Sequence, residues 1–140
     1  MMRPARDYVG VGVGAVISND QGQVFLALRG PRARNETGTW EFPGGMVHFG
    51  EALEQAITRE IAEEYGMDIQ VTGQLGAFDH ILPDQHWVSV TFHARHLDGE
   101  PVIREPGKCE AIGWFDLEDL PRPLSEITKS NLAKLERRSW

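Results

Sequence analysis

A chain of 140 residues, 41% apolar and 25% charged, can bury about 70% of the surface its unfolded form exposes, which excludes intrinsic disorder and a disulfide-stapled miniprotein. Fourteen Lys and Arg against 21 Asp and Glu leave a formal charge of −7, the wrong sign for holding nucleic acid through bulk phosphate attraction. Cys109 stands alone, which excludes an internal disulfide or a multi-thiolate metal site, and no signal-peptide core or apolar span is visible, so the expectation is one domain over residues 1–140 in a reducing cytoplasm, away from membranes.

From residue 8 to residue 17 valine alternates with glycine and the run then turns apolar. Asn19-Asp20-Gln21-Gly22 follow, and after them Val24-Phe25-Leu26-Ala27-Leu28, which predicts a β-hairpin. Gly10, Gly12 and Ala15 match the spacing of a dinucleotide-binding loop, but they sit inside a strand pattern with no helix opening after them, so that reading is set aside. Residues 30–39, with Pro31, Arg32, Arg34 and Gly38, read as a polar loop leading into Trp40-Glu41-Phe42 and the sharp Pro43-Gly44-Gly45. Residues 52–65 carry the strongest helical signal, free of glycine and proline, and Gly66 stands where a left-handed cap ends the helix. Strand-like runs follow at 69–78 and 87–95, separated by Leu82-Pro83-Asp84-Gln85, then a turn at Gly99 and a run at 111–115. Leu124, Ile127, Leu132 and Leu135 give helical spacing over 124–138, behind Pro121 and Pro123. Strands, helix, strands, helix predict an α/β fold with a mixed β-sheet packed between helices.

The first helix breaks local rules at one place. Leu53, Ile57 and Ile61 line one face, and Glu60 and Glu64 fall on or beside that stripe, so carboxylates point where a core belongs. With Glu63 they crowd one turn near the helix C-terminus, where like charges repel and the dipole disfavours anions. A hard divalent cation resolves these conflicts, because clustered carboxylate oxygens are the ligands that Mg²⁺ or Mn²⁺ takes. A solvated glutamate-rich face is the alternative.

Gly45, Glu51 and Arg59-Glu60-Ile61-Ala62-Glu63-Glu64-Tyr65-Gly66-Met67 resemble the Nudix box at every specified position, with Phe42-Pro43-Gly44-Gly45 resembling the segment that usually leads into it. The resemblance covers roughly residues 8–120 and implies a Nudix-type α/β/α sandwich. It also implies that Glu60, Glu63 and Glu64 bind Mg²⁺ or Mn²⁺, with Gly45 giving the close backbone approach such a site needs. Glu60, Glu63 and Arg59 are the expected catalytic residues, Arg59 acting by orienting a glutamate. Glu51 is expected to support the loop and helix geometry. The chemistry implied is attack of water on a diphosphate bridge, with the cation carrying anionic substrate into an acidic protein.

A further metal or base residue is expected from a later segment. Glu110, in Gly107-Lys108-Cys109-Glu110 ahead of Trp114-Phe115, resembles the residue that supplies it in small nucleotide diphosphatases of the family. Arg29 and Arg34, with Gly44, are candidate phosphate-binding groups, since a guanidinium engages phosphate oxygens bidentately. His93 and His96 lie three apart in a strand and point to opposite faces, while His80 and His86 flank a turn and are expected at the surface. Trp40, Phe78 and Trp87 could stack on a base but are expected in the core, and Cys109 is expected to be unreactive.

The reading that follows is hydrolysis of a nucleoside triphosphate to a nucleoside monophosphate and pyrophosphate. The alternative is an ADP-ribose or nucleoside-diphosphate-sugar hydrolase, favoured by Pro83 sixteen residues after Met67, a resemblance to an ADP-ribose subgroup marker. A non-catalytic nucleotide-binding domain ranks third. A nucleotide is the expected partner, nucleic acid and membrane are not, and a homodimer is compatible with the sequence.

Overall fold

The structure, a computed structural model, describes residues 1–137. Arg138, the last residue of the second helix read from the sequence, lies outside the described residues. The chain forms β1 (Gly10–Ser18), β2 (Val24–Arg29), β3 (Trp40–Glu41), β4 (Gly44–Met46), α1 (Leu53–Tyr65), β5 (Asp68–Leu82), β6 (Gln85–Asp98), β7 (Cys109–Phe115) and α2 (Glu126–Arg137). Among the described residues no helix is long and apolar enough to cross a membrane.

Strand alternation sorts the side chains between two layers. Val13, Ala15 and Ile17 of β1, Phe25 and Ala27 of β2, and Val90 and Phe92 of β6 pack with Ala56, Ile57, Ile61 and Tyr65 of α1. The intervening Val16, Val24 and Leu26 pack instead with Leu132 and Leu135 of α2. Each helix therefore covers one face of a mixed sheet, in which β1 runs parallel to β6 and antiparallel to β2 and β4. Fully burying side chains such as Phe25, Ile57 and Ile61 contributes about 1.5–3 kcal/mol each.

The sheet is split at the point where the functional groups gather. β1 and β2 pair at Ser18 and Val24 and then part, with β4 taking the free edge of β1 and β3 that of β2. Gly44 makes the β1–β4 approach feasible, since a Cβ there would stand 2.1 Å from the Val13 carbonyl oxygen. A cleft opens between the parted strands and reaches both layers.

α1 ends as expected, with Gly66 in the left-handed region at φ 69°. At its start Gln55 Oε1 accepts the Ala52 N–H at 3.0 Å, a partial substitute for the side-chain cap that alanine cannot supply. β5 and β6 run further than the sequence pattern suggests. β5 and β6 form one long hairpin whose turn is Pro83-Asp84, with Leu82 paired to Gln85. Register shifts near Val71–Gly73 and Gln74–Gly76 interrupt strict alternation and hide that continuity in the sequence.

Candidate active site

Arg59 organises the first side of the cleft. Its Nε and one terminal nitrogen donate to both oxygens of Glu51, at 2.6 and 2.9 Å, a bidentate fork that ties the start of α1 to its middle. The other terminal nitrogen donates to Glu60 at 3.0 Å and Glu63 at 3.1 Å, and the Met46 carbonyl accepts a fifth bond at 3.2 Å. Arg59 thus holds one supporting and two candidate metal-binding carboxylates in fixed relation to β4. The Arg59 guanidinium and the His48 N–H hold the Glu51 carboxyl down to about 2, and Glu51 in turn raises the pKa of Arg59.

Glu60 is buried and faces Gly45, where a Cβ would lie 2.2 Å from its carboxylate carbon. A glycine at that position is what lets the carboxylate press against the β4 backbone. Burial, with hydrogen bonding and repulsion from Glu60, pushes the Glu64 carboxyl up to about 9. Glu63 is exposed. Among the described residues no three acidic, His or Cys side chains stand close enough to hold an ion as they are. The donor chemistry nevertheless fits a hard cation: the groups are carboxyl oxygens, one buried and its neighbour half-buried and raised by it, beside a backbone cradle that a side chain would fill.

The opposite wall comes from β2, β3 and the arginine-rich loop. Arg29 lines the cleft, but its guanidinium is engaged: Nε donates to the Asn35 carbonyl and a terminal nitrogen to Glu41, both at 2.8 Å. Burial raises the Glu41 carboxyl in spite of Arg29 beside it. Arg29 therefore first neutralises Glu41, a duty the sequence does not reveal. Arg34 is exposed at the cleft mouth, its guanidinium 5.5 Å above the Trp87 ring and 3.5 Å from Met46 Sδ. Of the two candidate arginines, Arg34 is the one with no carboxylate partner among the described residues.

Glu110 is placed elsewhere. In β7 the buried Cys109 faces the cleft, so the next residue points the other way, and Glu110 is exposed outside the cleft lining. Glu105 and Lys108 line the cleft instead, with Lys108 Nζ 3.5 Å from Glu105. The segment picked from the sequence thus reaches the cleft, through Glu105 and Lys108 rather than through Glu110. His80 also departs from expectation: because β5 continues past Phe78, His80 pairs with Trp87 within the sheet, mostly buried, with Nε2 3.3 Å from Glu36. Burial raises the Glu36 carboxyl, but His80, the Glu126 N–H and Arg29 outweigh it and hold Glu36 below its ordinary value. Trp87 lines the cleft, whereas Trp40 packs edge-on against Phe115 and Phe78 joins the α2-side core. Cys109 is buried, which raises its thiol, as expected of an unreactive cysteine. Pro83 is exposed at the hairpin turn and does not line the cleft.

The cleft measures about 400 Å³, a size suited to a small-molecule ligand. The NUDIX domain model matches residues 9–135. The 8-oxo-dGTP diphosphatase of Escherichia coli is 31% identical over 127 residues, covering 89% of this chain and 96% of its own. The NAD-capped RNA hydrolase NudC of Deinococcus radiodurans is 34% identical over 76% of this chain, which spans 36% of that longer protein. Among solved structures, the MutT NUDIX hydrolase from Burkholderia pseudomallei superposes with a TM-score of 0.84 at 39% identity, covering 91% of this chain and 98% of its own.

Proposed function

Because the chain belongs to the NUDIX domain family and is a Nudix hydrolase, we propose that it hydrolyses the diphosphate bridge of a nucleoside triphosphate, releasing a nucleoside monophosphate and pyrophosphate. The observation that carries this reading is the division of charge across one cleft. Glu60, Glu63 and Glu64 stand on the α1 side, while Arg34 and Lys108 line the same cleft. Such a cleft repels bare phosphate at one side and attracts it at the other, as a metal-assisted phosphoryl site requires. The E. coli relative named as an 8-oxo-dGTP diphosphatase supports a triphosphate substrate, since this chain spans almost its full length.

Glu60, Glu63 and Glu64, with the Gly45 backbone, would hold Mg²⁺ or Mn²⁺. When bound, the cation supplies neutralisation of phosphoryl charge and a lowered pKa for the attacking water. The chain's own contribution is orientation. Arg59 keeps Glu60 and Glu63 on one side of its fork and Glu51 on the other, so that neither carboxylate is free to rotate out of register with β4. Arg34, stacked on Trp87, offers a guanidinium already ordered before phosphate arrives. Glu105 takes the place of Glu110 as the later-segment carboxylate.

A panel of nucleoside triphosphates, ADP-ribose and nucleoside-diphosphate sugars, assayed with Mg²⁺ and Mn²⁺ and read by product identity, tests the proposal. The expected result is pyrophosphate and nucleoside monophosphate from a triphosphate, with ADP-ribose turned over far more slowly. If ADP-ribose is preferred by kcat/KM and yields AMP and ribose phosphate, the triphosphate reading is wrong.

A further inference from the structure

Residues 3–8 lie ahead of β1, outside the stretch that the NUDIX domain matches, and have no part in the chemistry above. They close into a turn. The Arg3 carbonyl accepts the N–H groups of Arg6 and Asp7, at 3.2 and 2.9 Å, and the Asp7 carboxylate accepts the Arg3 backbone N–H. Inside the turn Ala5 is 3% exposed and held at φ 67°, in the left-handed region that an alanine rarely adopts. A residue persists in that conformation only where its surroundings over-determine it, and such residues gather at functional sites.

The surroundings of Ala5 are the start of β6. Its carbonyl accepts the His86 N–H at 2.7 Å, and the neighbouring Arg6 guanidinium pairs with Asp84 in the hairpin turn. A third contact is apolar. A Cβ at Gly10 would stand 2.8 Å from the six-membered ring of Trp87 and 3.0 Å from Ala5 Cβ, so the indole and the Ala5 methyl crowd into the space that Gly10 leaves open. Asp84, His86 and Trp87 are thus tied to the N-terminal turn. Gln85, between them, donates to the Arg34 carbonyl and accepts the Trp87 indole N–H. Arg34 reaches the cleft mouth from this assembly, its guanidinium over the Trp87 ring.

We infer that residues 3–8 act as a clip, with Ala5 as its positioning residue, that holds Trp87 beneath Arg34 and so sets the affinity of the cleft for the phosphates of its substrate. The inference rests on the proposed reading that Arg34 meets those phosphates. An arginine on an irregular loop loses conformational freedom when it engages an anion, and a platform ordered beforehand reduces that loss. The α1 carboxylates stand on the other wall, where Arg59 holds Glu60 and Glu63. The clip therefore acts on binding and not on the chemical step.

Two variants test the clip: deletion of residues 2–7 and, in the full chain, Ala5→Val, since a β-branched side chain is excluded from a buried left-handed position. Both should raise KM for the substrate that the parent prefers by about tenfold, the worth of one charged hydrogen bond, and leave kcat within about twofold. Solvent exchange of the Trp87 indole N–H, followed by NMR of ¹⁵N-labelled protein without substrate, should quicken in both. Ala5→Gly, which suits φ 67° and keeps the carbonyl bond to His86, should match the parent in KM and in exchange. Parental KM and parental indole exchange in the deletion and in Ala5→Val, or a fall in kcat with KM unchanged, overturns the clip. A substrate panel that favours a sugar nucleotide, with the rise in its KM still present in both variants, removes the triphosphate reading and supports the clip.

Discussion

Glu64 and Glu63 sit one residue apart on α1 but meet different environments, and their substitutions should separate accordingly. Glu64 is half-buried beside Glu60 with its carboxyl pushed up to about 9, so near pH 7 the metal-free fold must take up a proton that the unfolded chain does not hold, and in chelator a neutral isostere removes that cost. Glu64→Gln is expected to raise the melting temperature of the metal-free protein by an amount equivalent to about 1 kcal/mol or more, while lowering kcat by orders of magnitude. Exposed Glu63 should show the same loss of rate with little change in stability. Near-parental turnover in both variants would restore the solvated-face reading of this helix. Glu51 gives a prediction in pH. Its carboxyl is held at about 2, below the ordinary 4.5, so the folded state prefers it ionised. The stability it contributes is complete above pH 4.5 and is lost as pH falls through about 2. Glu51→Gln should therefore reduce the parent's loss of melting temperature between pH 5 and pH 2, measured in dilute salt; an unchanged acid profile would show that the Arg59 fork contributes no stability.

At the scale of elements, the arginine-rich segment at 30–39 shows how irregular backbone can be held to a rigid strand. Gln85, 6% exposed at the start of β6, donates to the Arg34 carbonyl at 3.2 Å and accepts from Asn35 Nδ2 at 3.2 Å and Trp87 Nε1 at 2.8 Å. Three bonds from one amide place Arg34 over Trp87. Gln85→Leu should strand those partners, lower stability by about 1–3 kcal/mol and raise KM for the phosphate-bearing substrate with kcat nearly preserved. A fall in kcat with KM unchanged would place the loop's role in the chemical step instead. None of this is legible in the sequence, because Gln85 lies 50 residues from Asn35 and carries no periodic signal. What is legible has a local physical cause. α1 is readable because its apolar stripe, its Gly66 cap and its misplaced carboxylates all act within four residues of one another. That Glu105 lines the cleft and Glu110 does not is hidden in the sequence, because Glu105 lies in the turn ahead of β7 while Glu110 follows the cleft-facing Cys109 and points to the other side of the strand. The β5–β6 hairpin is underestimated at both strands for a similar reason, since its bulges shift the alternation on which a period-two reading relies.

The proposed mechanism couples the acidic charge of the whole molecule to a cation. With a formal charge of −7, and with Glu60, Glu63 and Glu64 gathered on one turn, the metal-free protein holds repulsion that folding must overcome. A cation that binds the assembled carboxylates and not the unfolded chain stabilises by mass action, by about 2.7 kcal/mol at a hundredfold excess over its Kd. The expected outcome is a melting temperature that climbs by several degrees and saturates with Mg²⁺, together with loss of hydrolysis in excess EDTA. Saturation matters, since simple screening of surface charge by salt gives a shallow rise that a monovalent salt at equal ionic strength reproduces. Glu60→Gln supplies the control within the site. The amide retains the volume and a hydrogen-bond acceptor for Arg59 but removes the carboxylate that faces Gly45. It should abolish the saturable part of the Mg²⁺ response and leave the shallow screening part in place. A saturable rise of full size in Glu60→Gln would mean that the cation sits elsewhere on the molecule, and full turnover of the parent in EDTA would remove the metal from the mechanism altogether.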